Sequence, residues 1–238
     1  MFDVVAIGLV FLCAGFSKGL IGLGLPTIAM ALLTLLASPA EAAALLLLPS
    51  FVTNLVQMAP ARDAWRLTRR LWPMLAGVVL GTALGGWLWG GFGGRYGAVV
   101  LGFALAAYGA LGLLAWRPRW PERAGGLVGA LTGALTAATG VFVIPAVPWL
   151  QAIGLARDDL VRALGLAFLV STLALAVLLG GSGELDPGRV MASALALLPA
   201  LAGQWLGMRL RGRLSEAMFR RVFFTGLLVL GAAIAIRG

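Results

Sequence analysis

The sequence predicts an all-α membrane protein, a polytopic helical bundle made of two inverted repeats of about five membrane segments. Hydrophobic residues make up 61% of the 238 residues and charged residues only 11%, and the mean hydropathy is +1.00. A single soluble core cannot bury that much apolar surface. Apolar windows of about 20 residues, enough to cross ~30 Å of hydrocarbon, alternate with short loops that carry arginine. Because these windows are uninterrupted, they favour helices over the alternating strands of a membrane barrel.

Glycine, proline and charged residues divide the chain into ten apolar segments. Their approximate bounds are 3–24, 25–37, 41–59, 73–91, 97–116, 124–140, 141–154, 159–180, 189–208 and 218–236. The second and seventh segments (25–37 and 141–154) would span only about 20 Å as helices, less than the bilayer. We therefore expect these two to be tilted, buried among their neighbours or re-entrant.

Two sets of matches indicate an internal repeat, with an N-terminal copy at 1–119 and a C-terminal copy at 120–238. At an offset of 122 residues, glycines match at Gly81 and Gly203, Gly85 and Gly207, and Gly109 and Gly231. At an offset of 118 residues, the matches are Gly15 and Gly133, Gly22 and Gly140, Glu41 and Asp159, Thr53 and Ser171, and Asn54 and Thr172. The two copies are thus predicted to share one architecture.

Charge predicts that the copies are inverted. The loop at 60–72 holds four arginines, whereas its counterpart at 181–189 is mainly acidic; the loop at 91–96 holds one arginine and its counterpart at 209–221 holds five. By the positive-inside rule, matching loops lie on opposite faces, which requires an odd number of crossings per copy. Five crossings each place both termini outside. The net charge of +9 is therefore interpreted as a topology signal and not as a nucleic-acid surface.

Several functions are disfavoured by composition. With one cysteine and no histidine, the chain has no internal disulfide and lacks the usual zinc, haem and triad constellations, so we expect no metal, no cofactor and no enzymatic activity. A GxxGxG pattern at 19–24 has no strand before it and does not predict a nucleotide site. The N-terminus lacks a basic region and a cleavage signal, and is expected to be a retained first segment.

The only lysine, Lys18, lies within the first apolar segment. An ammonium at such depth costs several kcal/mol unless it reaches water, a partner or an anion. Snorkelling towards the headgroups, a structural pair and a substrate role all remain open. Glycines follow at once, and then Pro26 and Thr27, which favours a broken helix whose new N-terminus attracts anions. The alternative is that glycines only permit close helix packing, as we expect for the series Gly77, Gly81 and Gly85.

The second half contains a similar interruption at Thr139 and Gly140, followed by Pro145 and Pro148, without a lysine. If the halves are inverted, the two interruptions should approach each other near the midplane, with helix starts near Thr27 and Val141. Polar stripes add Ser50, Thr53, Asn54 and Gln57 on one helical face, and Ser171 and Thr172 in the other half. These stripes face protein or water, either as interhelical hydrogen bonds or along a substrate path. The acids Glu41, Asp158 and Asp159 begin their segments, where acids are ordinary and a coupling role is the alternative.

At these residues the sequence resembles the TauE/SafE sulfite-exporter family of bacterial membrane proteins. The resemblance is carried by "AGFSKGLIGLGLP" at 14–26, by "TGALTAATGVFVIP" at 132–145 and by the glycine-spaced fourth and ninth segments, and it extends over essentially the whole chain. It implies transport of small, often sulfur-containing anions such as sulfite or sulfonates across the cytoplasmic (inner) membrane, without ATP-binding parts. The run Val141 to Val143 departs from the glycine-richer pattern expected after Gly140.

The resulting hypothesis is a secondary transporter of small anions that works by alternating access. The candidate substrate-binding residues are Lys18, Gly22, Gly24, Thr27, Thr53, Asn54, Thr139, Gly140, Ser171 and Thr172. The expected partners are a small anionic substrate and the lipid bilayer, with no nucleic acid; homo-oligomerisation stays open. The alternatives are a non-transporting membrane assembly or anchoring protein, and a membrane-embedded enzyme, which the missing catalytic constellations disfavour.

Overall fold

Ten α-helices and one short 3-10 helix account for the protein in the computed structural model, which describes residues 4–59, 64–94, 96–116, 120–213 and 215–237. The helices are α1 (Val4–Ile21), α2 (Leu25–Leu33), α3 (Pro39–Met58), α4 (Ala64–Trp89), α5 (Gly97–Leu113), α6 (Gly125–Thr139), α7 (Ala146–Ala152), α8 (Arg157–Gly181), α9 (Pro187–Leu210) and α10 (Glu216–Arg237). Within the described part, six of them are long and apolar enough to span a membrane and α5 is a shorter apolar helix. The predicted all-α polytopic bundle is confirmed.

Local sequence signals set the ends of several helices. At the start of α3, the Ser38 side chain accepts from the Glu41 N–H while Glu41 accepts from the Ser38 N–H, which is a complete capping box. Asp186 caps α9 by accepting from the Arg189 N–H at 3.0 Å, and Pro187 follows in the first turn. These caps explain why both helices begin within a few residues of their predicted starts.

Corresponding helices of the two predicted copies run in opposite directions. Helices α3 and α8 correspond to each other in the repeat, and along them Ser50 pairs with Thr172 while Gln57 lies beside Gly165. Residue numbers therefore increase along α3 in the direction in which they decrease along α8, so these two helices are antiparallel. Helices α5 and α10 run in opposite directions in the same way. Corresponding helices of an inverted repeat must have opposite directions. The predicted boundary falls at residues 119 and 120, of which 119 lies outside the described residues, and remains a prediction.

Glycines permit the closest helix contacts. On α4, a Cβ at Gly81 would clash with the Ala130 carbonyl oxygen on α6 and lie 2.7 Å from the Ala130 Cα, and Gly77 and Gly85 lie against the same helix. In the other half, a Cβ at Gly207 on α9 would lie 2.8 Å from the Leu20 nitrogen on α1. The expectation that the series at 77, 81 and 85 serves helix packing is therefore supported, and α1–α9 repeats the contact of α4–α6.

Arginines collect at one end of the bundle, which we call the basic face. Three contacts define it: Arg70 with Glu122, Arg66 with Asp159 at 2.9 Å, and the Arg211 guanidinium with the Leu20 carbonyl at 2.8 Å. They join the starts of α4, α6 and α8 and the ends of α1 and α9. At the other end, Arg189 pairs with Glu184 and Asp186. The predicted arginines Arg62, Arg95, Arg117 and Arg119 lie outside the described residues.

Candidate functional site

The first predicted interruption is present between α1 and α2. Gly22 (φ 77°) and Gly24 (φ 110°) adopt the left-handed region, where only glycine is free of strain. Side chains donate to the carbonyls that lack a helical partner: the Gln57 amide donates to the Gly22 carbonyl at 3.1 Å, and the Ser17 hydroxyl donates to the Leu23 carbonyl at 3.2 Å. The Thr27 hydroxyl donates to the Gly24 carbonyl at 3.1 Å. The chain thus leaves the helix without leaving these acceptors unpaired.

Lys18 is held one turn before this interruption, on α1. Its side chain is buried, with 2% of its surface exposed. The ammonium donates to the Thr53 hydroxyl at 3.1 Å and to the Asn54 side-chain oxygen. Both acceptors are neutral, and no carboxylate pairs with Lys18 among the residues that the structure describes. Two of its three donors are occupied, and the positive charge is not compensated by them.

The cluster continues from α3 to α8. The Ser50 and Thr172 hydroxyls lie 3.1 Å apart, and the Asn54 amide donates to Thr172 at 3.4 Å. Ser171 is buried on the same turn of α8 but forms no hydrogen bond to these side chains within the described residues. Four of the predicted residues, Lys18, Thr53, Asn54 and Thr172, are therefore assembled into one network.

Two further polar residues reach this region from α9. Gln204 donates to the Thr53 carbonyl at 3.3 Å, and the Ser193 hydroxyl donates to the Leu45 carbonyl at 2.9 Å. The second contact has a simple cause, because Pro49 has no N–H and leaves the carbonyl four residues earlier without its helical partner. Neither residue was predicted. The sequence contains a signal for each of them: Pro49 inside a helix for the Ser193 contact, and a single glutamine between glycines for Gln204.

The second interruption differs from the prediction. Helix α6 ends at Thr139, and Gly140 (φ 69°) takes the left-handed conformation, as expected. The Thr139 hydroxyl accepts from the Val141 N–H at 3.1 Å. However, α7 begins only at Ala146, so the predicted helix start near Val141 is wrong. Residues 141–145 form a non-helical connection whose apolar side chains are packed in the core, with Phe142 against Phe168.

The two interruptions do not meet. Gly140 lies against Met30 and Ala43, whereas Gly22 is bound by Gln57. Ala43 and Gln57 are both on α3 and are separated by about four turns, or roughly 21 Å. The expectation that the interruptions approach each other near the midplane is therefore not met by the structure. In an inverted repeat, an interruption near one face has its counterpart near the other. Thr139 and Gly140 lie far from the Lys18 network for this reason.

The comparisons with known proteins agree with the resemblance noted in the sequence. A family model described as "Sulfite exporter TauE/SafE" matches residues 7–234, nearly the whole chain. The chain belongs to the TauE/SafE family. No curated protein and no solved structure matches the chain.

TauE/SafE membership identifies the chain as a membrane transporter for anions, and it supports a non-enzymatic role. The matched residues 7–234 include both interruptions and the whole Lys18 network.

Proposed function

We propose that the protein is a secondary transporter that moves small, sulfur-containing anions such as sulfite or sulfonates across the bacterial inner membrane by alternating access. The TauE/SafE match supports an anion as the substrate class. The antiparallel halves support alternating access, because two inverted copies can exchange conformations. The positive-inside rule places the basic face in the cytoplasm.

We infer the position of the substrate site from one observation. The ammonium of Lys18 is buried and has only neutral oxygen partners within the described chain. A buried charge without a counter-ion is costly, and a bound anion would compensate it. Thr53 and Asn54 orient the ammonium, and Thr172 presents a hydroxyl from the other half. We assign the substrate anion to this network.

Backbone groups at the first interruption supply further donors. The N–H groups of Leu23, Gly24 and Leu25 have no acceptor among the described residues, and they precede a helix whose dipole favours negative charge. In the second half, the Val141 N–H is already bound to Thr139. The proposed site therefore belongs mainly to the first half and not equally to both.

Counterflow in proteoliposomes tests this proposal. Vesicles preloaded with sulfite, methanesulfonate or isethionate are diluted into the labelled anion, and uptake is compared with empty vesicles and with vesicles that contain Lys18→Met. Uptake by wild type and loss in the variant are expected. Wild-type uptake equal to that of empty vesicles for every anion would contradict transport. Equal uptake by wild type and variant would contradict the assignment to Lys18 and favour a purely structural lysine.

A further inference from the structure

A cavity of about 300 Å³ opens at the basic face beside the first interruption. It lies between the ends of α1 and α7, the starts of α8 and α10, and the segment after α9. Its polar lining consists of Gln151, Arg157, Arg211 and Arg220. No acidic residue is among the described residues that line it, so three cationic side chains share one concave surface. Such a surface raises the local concentration of anions.

Of the three arginines that line the cavity, Arg220 is the one best placed to bind a ligand. Its guanidinium stands 5.8 Å from the ring centroid of Phe224, and in the described chain it has no carboxylate partner. Phe224 itself is buried and lines the same cavity. The ring holds the guanidinium by a cation–π contact that uses none of its hydrogen-bond donors. Arg220 therefore presents a planar set of donors, which suits an oxyanion.

The cavity is connected to the helix that bears Lys18. Arg211 donates to the Leu20 carbonyl at 2.8 Å, in the last turn of α1, and Leu20 also lines the cavity. Lys18 is only two residues before Leu20. An anion held by the arginines is thus located next to the segment that carries the proposed substrate site.

The arginines are not a by-product of the repeated architecture. At the offsets of the repeat, Arg157 corresponds to Pro39, Arg211 to Trp89 and Arg220 to Ala98. In the corresponding loop at the other face, the Gly93 N–H donates to the Ala137 carbonyl at 2.9 Å. Among the described residues, the cavity at the basic face is lined by three arginines.

We propose that this cavity is a second anion site, in which Arg220, with Arg157 and Arg211, binds small oxyanions at the basic face before they pass to Lys18. The proposal rests on the proposed function for the identity of the anion and for its onward path. The ligand class is a tetrahedral or pyramidal oxyanion of sulfur. A phospholipid phosphate has the same chemistry, and the test separates the two sources.

Arginine labelling of the wild-type protein tests binding without any variant. Purified protein is treated with phenylglyoxal, and the labelling rate of each arginine is measured by mass spectrometry in sodium sulfate and in sodium chloride of equal ionic strength. Sulfate is expected to slow the labelling of Arg220 several-fold and to leave exposed Arg221, which does not line this cavity, unchanged. Equal rates at Arg220 in the two salts overturn the proposal. Protection of Arg220 in phosphatidylglycerol nanodiscs but not in phosphatidylcholine nanodiscs, with no effect of sulfate, also overturns it and assigns the cavity to a lipid.

Counterflow of sulfite then tests the connection to transport, with Arg220→Gln as the variant and Arg221→Gln as the matched control. Arg220→Gln is expected to raise the KM for sulfite at the basic face roughly ten-fold with kcat retained, as when a capturing charge is lost. Unchanged KM in Arg220→Gln, together with lost uptake in Lys18→Met, rejects the cavity while the proposed function stands. Sulfate protection of Arg220 in a protein that transports none of the anions upholds the second site and rejects the proposed function.

Discussion

The Lys18 ammonium and the Thr53 hydroxyl lie 3.1 Å apart and join α1 to α3 just before the first interruption. The corresponding position in the second half is Thr136, whose hydroxyl donates to the Thr132 carbonyl of its own helix at 2.8 Å. The helical arrangement is thus repeated in the second half, but the positive charge of Lys18 is not. The proposed function therefore predicts that one anion binds, on the side of the pseudo-symmetry axis that carries Lys18.

Lys18→Met tests whether this cation serves a ligand or the fold. Methionine keeps much of the side-chain volume and removes a buried charge that has only neutral partners. The anion-free variant is therefore expected to melt at the same temperature as wild type or above it. The rise in Tm that sulfite produces in wild type is expected to disappear. Lys18→Arg, which keeps the charge, should retain part of that rise.

The opposite result would be equally informative. If Lys18→Met melts well below wild type without any anion, then the bonds to Thr53 and Asn54 are structural and the ammonium needs no ligand.

Glu122 precedes α6 and lies outside the membrane-spanning helices, and its pair with Arg70 provides a pH test. Two hydrogen bonds from Arg70, at 2.6 and 3.0 Å, lower the pKa of the Glu122 carboxyl below its ordinary value of 4.5. Since the folded-state pKa is depressed, the pair stabilises the fold above about pH 4.5 and loses this contribution as the pH falls through the lowered value. Both side chains are more than one third exposed, so the effect should stay below about 1 kcal/mol.

The measurement is the Tm difference between wild type and Glu122→Gln from pH 3 to 7. The difference should vanish at the acidic end. Asp158→Asn serves as the control, because Asp158 is exposed near the same face. A Tm difference that persists unchanged at pH 3 would show that packing, not charge, is lost in Glu122→Gln.

Much of the fold could be predicted because its signals are local. Apolar length, glycine, proline and capping residues mark where each helix begins and ends, and arginine distribution marks the faces. The same signals identified Gly22, Gly24 and Gly140 as the interruptions. The network partners Thr53, Asn54 and Thr172 were predicted as polar stripes that cannot face lipid.

What the sequence did not predict depends on the register between helices. The distance between the two interruptions along α3 depends on how far α2 extends beside α3. No single segment of the sequence specifies how these two helices lie against each other. The late start of α7 has a local cause: Val141, Phe142 and Val143 are buried in the core as a non-helical stretch. Gln204 reaches Thr53 through the packing of α9 against α3, which is a tertiary effect.

Gly24→Ala and Gly22→Ala separate backbone strain from packing at the first interruption. Both positions have positive φ, so alanine costs about 1 to 2 kcal/mol at either one. At Gly22, the nearest atom to a Cβ is 3.7 Å away, whereas at Gly24 a Cβ would clash with the Ser17 hydroxyl and lie 2.9 Å from the Phe223 ring. Gly24→Ala is therefore expected to be the more destabilising of the two in thermal or denaturant unfolding.

Gly154→Ala provides the reference for strain alone. Gly154 has φ 73° and nothing within 4 Å of a Cβ. Gly22→Ala should resemble Gly154→Ala in its loss of stability. Equal losses in all three variants would show that the contact of Gly24 with α10 is not tight.

Ser50 and Thr172 connect the two halves through one hydroxyl pair at 3.1 Å. A double-mutant cycle with Ser50→Ala and Thr172→Val measures this connection directly. Hydrogen bonds between membrane helices average about 0.6 kcal/mol in such cycles, and a coupling free energy of that size is expected here. The measurement is unfolding in mixed micelles at a fixed detergent composition.

The control cycle replaces Thr172→Val with Thr82→Val. Thr82 is also buried, but its hydroxyl donates to the Val78 carbonyl of its own helix at 2.8 Å. Its coupling to Ser50 should be zero within error, because the two residues share no partner. If the halves move against each other during transport, Thr172→Val should also change the rate of counterflow more than Thr82→Val does. Equal coupling in both cycles would show that the hydroxyl pair does not hold the halves together.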